Sequence, residues 1–199
     1  MQNSVLNFIV KPENKRTNSV KKIEDKELIL NSDLQDHRYV SRVGIVTSEP
    51  LKNETNIKVG DKVVVHHNVF RRFYDVRGKE KNSKSYFDED KFIVAEDQIF
   101  AYSDGDGWKA MNGYCFVKPI HNENEFDINK EKPLIGVLKF LSDDLKCSGL
   151  NKEDLIGFSP RSEYEFVLGG ERLYRVDSNS ITIKYERKGD EKEYNPSWT

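Results

Sequence analysis

Cysteine is scarce in this chain, and neither charge sign is in excess. Cys115 and Cys147 are the only two cysteines in 199 residues. They form no CxxC pair and no metal-ligand spacing, which argues against a disulfide-stapled scaffold and a cysteine-ligated metal site. The reading is a reduced, cytoplasmic protein with both thiols as small core residues. A single disulfide between them is the alternative. Lysine and arginine number 32 against 34 aspartates and glutamates, a formal net charge of −2. No global attraction to nucleic acid or to an anionic membrane is therefore expected. No apolar run approaches the roughly 18 residues that span a bilayer. The start, MQNSVLNFIVKPENK, lacks a basic segment followed by a long apolar one, so no signal peptide is expected.

Signatures of catalysis are also missing. There is no G-x-S-x-G, no glycine loop built to cradle phosphate, and no activating context for either cysteine. No catalytic residue and no cofactor are assigned, and an enzyme is not expected. His66-His67 invites a metal reading. Neighbours on a strand point to opposite faces, however, and His37 and His121 are far away in sequence, so no metal site is expected either. The acidic run HNENEFDINKEK reads as a solvated loop.

What is present is β-sheet material. Hydrophobic residues make up 36% and aromatics 11% of the chain, enough for a packed core. FIVKP, RVGIVTS, DKVVVHHNVF, KFIVAEDQIFAY, YCFVKPI, GVLKFL, DLIGFS and SITIKYE are short β-branched or aromatic runs separated by turn or charge clusters. EFVLGGERLYRV reads as a hairpin, with Gly169-Gly170 supplying the positive φ angles of a two-residue turn. Many short strands at regular spacing predict an all-β fold, a barrel or a sandwich.

The two halves of the chain repeat. Phe8-Ile9-Val10-Lys11-Pro12 is matched by Phe116-Val117-Lys118-Pro119. A glycine-bearing strand follows in each, at Gly44 and at Gly136. An acidic turn then leads into a strand, at Asp61 and at Asp154. Gly44 and Asp61 are 17 positions apart, Gly136 and Asp154 18. The organisation expected is one module over 1–104, a Gly/Asp-rich connection around 103–113, a second module over 113–186 and a loose charged tail over 187–199. Lys11 and Gly44 are 33 positions apart, but Lys118 and Gly136 only 18; Asp61 and Ile99 are 38 apart, against 27 between Asp154 and Ile181. The first module thus carries two insertions. Insertions in one copy of a repeat mark function, because the scaffold folds without them.

The ordered set FIVKP, a long loop over 13–42, RVGIVTS, IKVGDKVVV and FIVAEDQIFAY resembles the GroES-type co-chaperonins (the chaperonin-10 family), and the aromatic and basic insertion is similar to that of phage-encoded members. The second module resembles a degenerate copy. The resemblance implies two tandem irregular β-barrels, a heptameric ring, and nucleotide-dependent capping of a GroEL-type chaperonin around an unfolded client protein, in the host cytoplasm if the chain is phage-encoded. It implies that Leu28, Ile29 and Leu30 grip the chaperonin from the mobile loop 13–42, with Glu27 where the family has a glycine. It also implies that the insertion 66–87, with Phe70, Arg71, Arg72, Phe73, Tyr74 and Arg77, is the roof loop of the dome. The second module would be a spacer, a second tier or a thickened wall.

The residues support a docking loop on their own terms. NKRTNSVKKIEDKE is too polar to bury itself, and an apolar triplet then interrupts it. Each side chain buried in a partner would contribute roughly 1.5–3 kcal/mol. Ordering the loop offsets much of that, so a single loop binds weakly and several on one ring bind tightly. Two other readings stay open. One is a structural or virion assembly protein that reuses the scaffold. The other is a nucleic-acid-binding β-barrel using the basic-aromatic insertion for stacking and phosphate contacts.

Overall fold

The structure is a computed structural model and describes residues 4–17, 20–23, 26–29, 40–124, 130–189 and 191–195, with the backbone alone over 20–23. The chain divides into two compact units, Met1–Trp108 and Lys109–Thr199. The first holds β1 (Phe8–Pro12), β2 (Val20–Ile23), β3 (Lys26–Ile29), β4 (Val43–Ser48), β5 (Lys62–Val65), β6 (Arg72–Tyr74), β7 (Glu80–Asn82), β8 (Tyr86–Asp88), β9 (Lys91–Val94) and β10 (Ile99–Ser103). Strand β11 (Trp108–Ala110) sits at the boundary. The second unit holds β12 (Tyr114–His121), β13 (Glu131–Leu141), one short helix α1 (Asp143–Cys147), β14 (Leu155–Phe158), β15 (Glu163–Leu168), β16 (Glu171–Asp177) and β17 (Ile181–Tyr185). The fold is all-β, and every pairing between these strands for which a register is resolved is antiparallel.

Each unit is organised by one large sheet, and the two sheets share an order. In the first the order is β11-β10-β5-β4-β1-β9-β8; in the second, read from the matching end, it is β17-β14-β13-β12-β16-β15. The registers coincide as well. Val10 faces Val46 and Pro12 faces Gly44 in the first sheet; Val117 faces Leu138 and Pro119 faces Gly136 in the second. A bulge falls between Ile9 and Val10 in one and between Phe116 and Val117 in the other. Phe92 opposite Val10 is matched by Tyr174 opposite Val117.

Local chemistry explains the shared register. A Cβ on Gly136 would lie 2.5 Å from the Lys118 carbonyl oxygen and 2.5 Å from Val117 Cγ1. A Cβ on Gly44 would lie 2.9 Å from the Lys11 carbonyl oxygen, with Val10 Cγ1 also in the way. Only glycine lets these strands close. The turn before the next strand repeats too. Asp61 Oδ2 accepts the Lys58 N–H at 2.7 Å, and Asp154 Oδ2 accepts the Asn151 N–H at 2.7 Å. Gly60 (φ 100°) and Glu153 (φ 73°) take the same left-handed position. Glutamate is strained there, but its carboxylate is held by Lys139 at 2.8 Å and Arg187 at 2.9 Å. Burial works against the charge of Glu153, yet the Lys139 and Arg187 hydrogen bonds hold it below the usual carboxylate range.

Apolar residues on the inward faces make the two cores. Phe8, Val10, Val46, Val63, Phe70, Phe92 and Ile99 are fully buried in the first unit. In the second, Cys115, Val117, Leu138, Ile156, Phe158 and Val176 pack together, joined by Leu145 from α1. The hairpin turn at Gly169-Gly170 has φ of 62° and 83°, the mirror-image turn that suits strand twist.

Several local expectations are corrected. The connection over 103–113 contains β11, which pairs with β10. Cys147 is exposed rather than a core residue, and both thiols are free. The tail is not loose over 191–195. His121 N–H donates to the Lys192 carbonyl at 2.7 Å, and Tyr194 N–H donates to the Pro119 carbonyl at 2.8 Å. Asn195 Oδ1 accepts from Lys118 Nζ at 3.1 Å and from the Arg172 N–H at 3.0 Å. Lys118 is thereby buried, whereas Lys11, at the same register in the first unit, stays exposed.

Two predictions follow from packing. Gly136→Ala should destabilise the second unit by about 1–3 kcal/mol, more than Gly44→Ala destabilises the first, because its Cβ meets the backbone oxygen more closely; urea unfolding of both variants measures the difference. Burial, reinforced by Asp144 and Asp177, pushes the Cys115 thiol up to about 12. Ellman's reagent at pH 8 should therefore titrate one thiol in the native protein and two in denaturant.

Candidate functional site

The long connection after β1 leaves from a closed neck. Glu13 N–H donates to the Val43 carbonyl at 3.1 Å and Ser41 N–H to the Arg16 carbonyl at 2.9 Å. Thr17 and Val40 form an antiparallel bridge, and Val40 is buried. Polar sequence alone predicts an unpaired loop here. Instead β2 and β3 pair as a hairpin, with Val20 opposite Ile29 and Ile23 opposite Lys26. The pair forms its own two-stranded sheet, apart from the seven-stranded one.

Strand β3 is exposed along its whole length. Leu28 is 51% and Ile29 69% exposed. Successive strand residues point to opposite faces, so β3 offers an apolar side chain on each face and buries neither. Leu30 lies outside the described residues.

The second insertion begins inside the core. Phe70 is fully buried, with its ring 4.9 Å from Phe92 in an edge-to-face contact. It therefore belongs to the scaffold and not to an exposed roof. Arg71, Arg72 and Phe73 are half-buried, whereas Tyr74, Val76 and Arg77 are exposed. β6 and β7 form a second hairpin, with Arg72 opposite Asn82 and Tyr74 opposite Glu80. Arg72 pairs with Glu80 at 2.9 Å. Its tip is built by Asp75, whose Oδ1 accepts the Arg77 and Lys79 N–H groups, each at 2.9 Å. Gly78 closes the tip with φ 73°. Tyr86 and Phe87 are exposed on β8.

Arg16 joins the two insertions, and nothing in its sequence context marked it. Its Nε–H donates to the Phe70 carbonyl at 3.1 Å, Nη1 to Asn82 Oδ1 at 2.9 Å and Nη2 to the Arg71 carbonyl at 3.4 Å. The guanidinium lies over Phe92 at 4.9 Å and near Tyr86 at 5.8 Å. Burial and the like charge of Arg72 both lower its pKa.

The second unit handles the matching place differently. Its connection spans only 122–130, closed by Asn122 N–H to the Lys130 carbonyl at 2.8 Å. Arg172 lies over Tyr174 at 4.9 Å and pairs with Glu131 at 2.6 Å and Glu165 at 3.0 Å. Tyr174 donates its hydroxyl to Glu131 at 3.1 Å, and burial raises its pKa. Glu131, read from sequence as part of a solvated run, is thus a structural anchor.

The adjacent histidines do not lie on a strand. β5 ends at Val65, so His66 and His67 lie beyond the strand, and their rings stack with centroids 4.2 Å apart. His66 Nδ1 accepts the Asn68 N–H at 3.1 Å. Among the described residues no group of three or more His, Cys, Asp or Glu is placed to hold a metal ion, and no helix is long and apolar enough to cross a membrane. Compared with protein-family models and with curated proteins, the chain matches none.

Proposed function

We propose that this chain is a capping protein that docks on a GroEL-type chaperonin through the apolar residues of β3, a co-chaperonin rather than an enzyme. The observation that carries the reading is Leu28 and Ile29 standing exposed on opposite faces of a strand, in a connection whose counterpart in the second unit spans only 122–130. Leu30 completes the triplet in sequence. A strand with no apolar cover gains roughly 1.5–3 kcal/mol per side chain when a partner groove receives it. A homo-oligomeric ring, heptameric by resemblance, multiplies that gain through effective concentration. Release then follows when the chaperonin changes nucleotide state, and an unfolded client is the cargo enclosed. The exposed β6–β7 tip, with Tyr74, Val76 and Arg77, is the surface this reading assigns to the roof.

Co-elution with a GroEL-type chaperonin, with and without adenine nucleotide, tests the proposal. Capture should depend on nucleotide, and Leu28→Ser/Ile29→Ser should abolish it while leaving the far-ultraviolet spectrum unchanged. A folded protein that is never captured by its own host's chaperonin would leave the assembly-protein reading in its place.

A second reading rests on Tyr74, Tyr86 and Phe87, all exposed, beside exposed Arg77, Lys79, Lys81 and Lys84. Such a surface can stack bases and contact phosphates. The exposed acidic turn Asp88-Glu89-Asp90 adjoins it, and Arg72 is already paired with Glu80, so a protein partner is favoured over a polyanion. Fluorescence anisotropy with a single-stranded oligonucleotide should show no binding at low salt. Salt-sensitive binding that Arg77→Ala and Tyr74→Ala both weaken would reverse that preference.

A further inference from the structure

Arg16 closes two openings at once. Through its backbone carbonyl it receives Ser41 and shuts the neck of the 18–39 connection. Through its side chain it holds both strands at the base of the β6–β7 hairpin: the carbonyls of Phe70 and Arg71 just before β6, and Asn82 at the end of β7. Other contacts at the hairpin base are local to the insertion itself. Ser83 donates its N–H to the Arg71 carbonyl at 3.1 Å and its hydroxyl to the Val69 carbonyl at 2.6 Å. Among the described residues, the second unit has no counterpart of the β6–β7 hairpin between β14 and β15, and its ring-covering arginine has a different origin. There the arginine over the matching aromatic ring is Arg172 of β16, so the anchor comes from the sheet itself. In the first unit the arginine comes from the neck, whose Arg16 carbonyl also accepts the Ser41 N–H.

We propose that Arg16 is a latch that couples the neck, where Arg16 and Thr17 pair with Ser41 and Val40, to the β6–β7 hairpin. A partner that opens the neck draws the guanidinium off Phe92 and loosens the hairpin base. By linkage, restraint of the hairpin tightens the neck to the same extent. The closed position is opposed by the desolvation of Arg16 and the neighbouring charge of Arg72 and favoured by the charges of Asp90 and Glu80, so the latch is held by its three hydrogen bonds and its ring contacts together with these acidic neighbours. This coupling is internal to the chain and does not depend on which partner takes β3.

Hydrogen exchange on the full chain tests it. Asn82→Ala removes one contact on the hairpin side only. It should accelerate exchange of the Ser41 and Glu13 amides at the neck about ten-fold, the scale of one hydrogen bond to a charged group. Arg16→Lys should accelerate the same neck amides together with those of Asp75 and Ser83 in the hairpin. The Leu138 amide in the second unit and the Val46 amide in the first report whether either variant has unfolded. If Arg16→Lys unfolds the first unit, the Asn82→Ala result decides alone. Neck amides that exchange at the wild-type rate in folded Asn82→Ala would overturn the latch, as would hairpin amides unchanged in folded Arg16→Lys.

Discussion

In each unit the glycine strand crosses the Lys–Pro strand so closely that a backbone carbonyl stands where a side chain would begin. At Gly136 the distance from an added Cβ to the Lys118 oxygen would be 2.5 Å. A one-residue slip would bring a β-branched neighbour, Ile135 or Val137, to that point and force the strands apart. The bulge one residue before Val10 and before Val117 meets the same demand from the other strand. With the central pair held, the outer strands inherit their order. Strands β9 and β8 in the first sheet, and β16 and β15 in the second, then hang on the free edge of β1 or β12, which places Phe92 and Tyr174 at one common register position.

That common position shows how two copies of one scaffold diverge. Both copies put an arginine over the ring, at 4.9 Å in each case. The second draws it from β16 and satisfies it with Glu131 and Glu165, so the charge is neutralised locally. The first draws it from the connection and satisfies it largely with backbone carbonyls. Among the described residues, direct carboxylate pairs to this arginine are made in the second unit, where the connection is short, while Asp90 and Glu80 act on Arg16 without pairing with it. The covering of Lys118 by Asn195 follows the same tendency toward closure in the second unit, while the first leaves Lys11 open.

Much of the scaffold was legible because it obeys local rules. Alternation and β-branched runs marked the strands, Gly169-Gly170 marked its hairpin, and the paired Lys-Pro and Gly signals marked equivalent strands before any pairing was known. The errors arose where a tertiary partner overrode a local signal. In a mostly polar stretch, β2 and β3 pair because backbone hydrogen bonding needs no apolar face. Phe70 looked like part of an exposed basic-aromatic stretch, yet it fills the space beside Gly44 and Phe92. Glu131 and the tail residues looked solvated until cations from distant strands were seen to meet them. Arg16 was invisible for the opposite reason. One arginine in a polar run carries no signal, and its partners lie more than fifty positions away.

The unequal connections have a consequence for the time course of folding. Pairing β1 with β4 closes a loop of 33 positions between Lys11 and Gly44, whereas β12 and β13 close one of 18. The entropic difference is only about 0.5 kcal/mol at equilibrium. It acts on the central pair, however, on which the flanking strands of each sheet are built. The half of the chain that leaves the ribosome first is thus the half with the more distant central contact. The later half can complete its sheet over shorter separations, a division of labour in contact order rather than in stability.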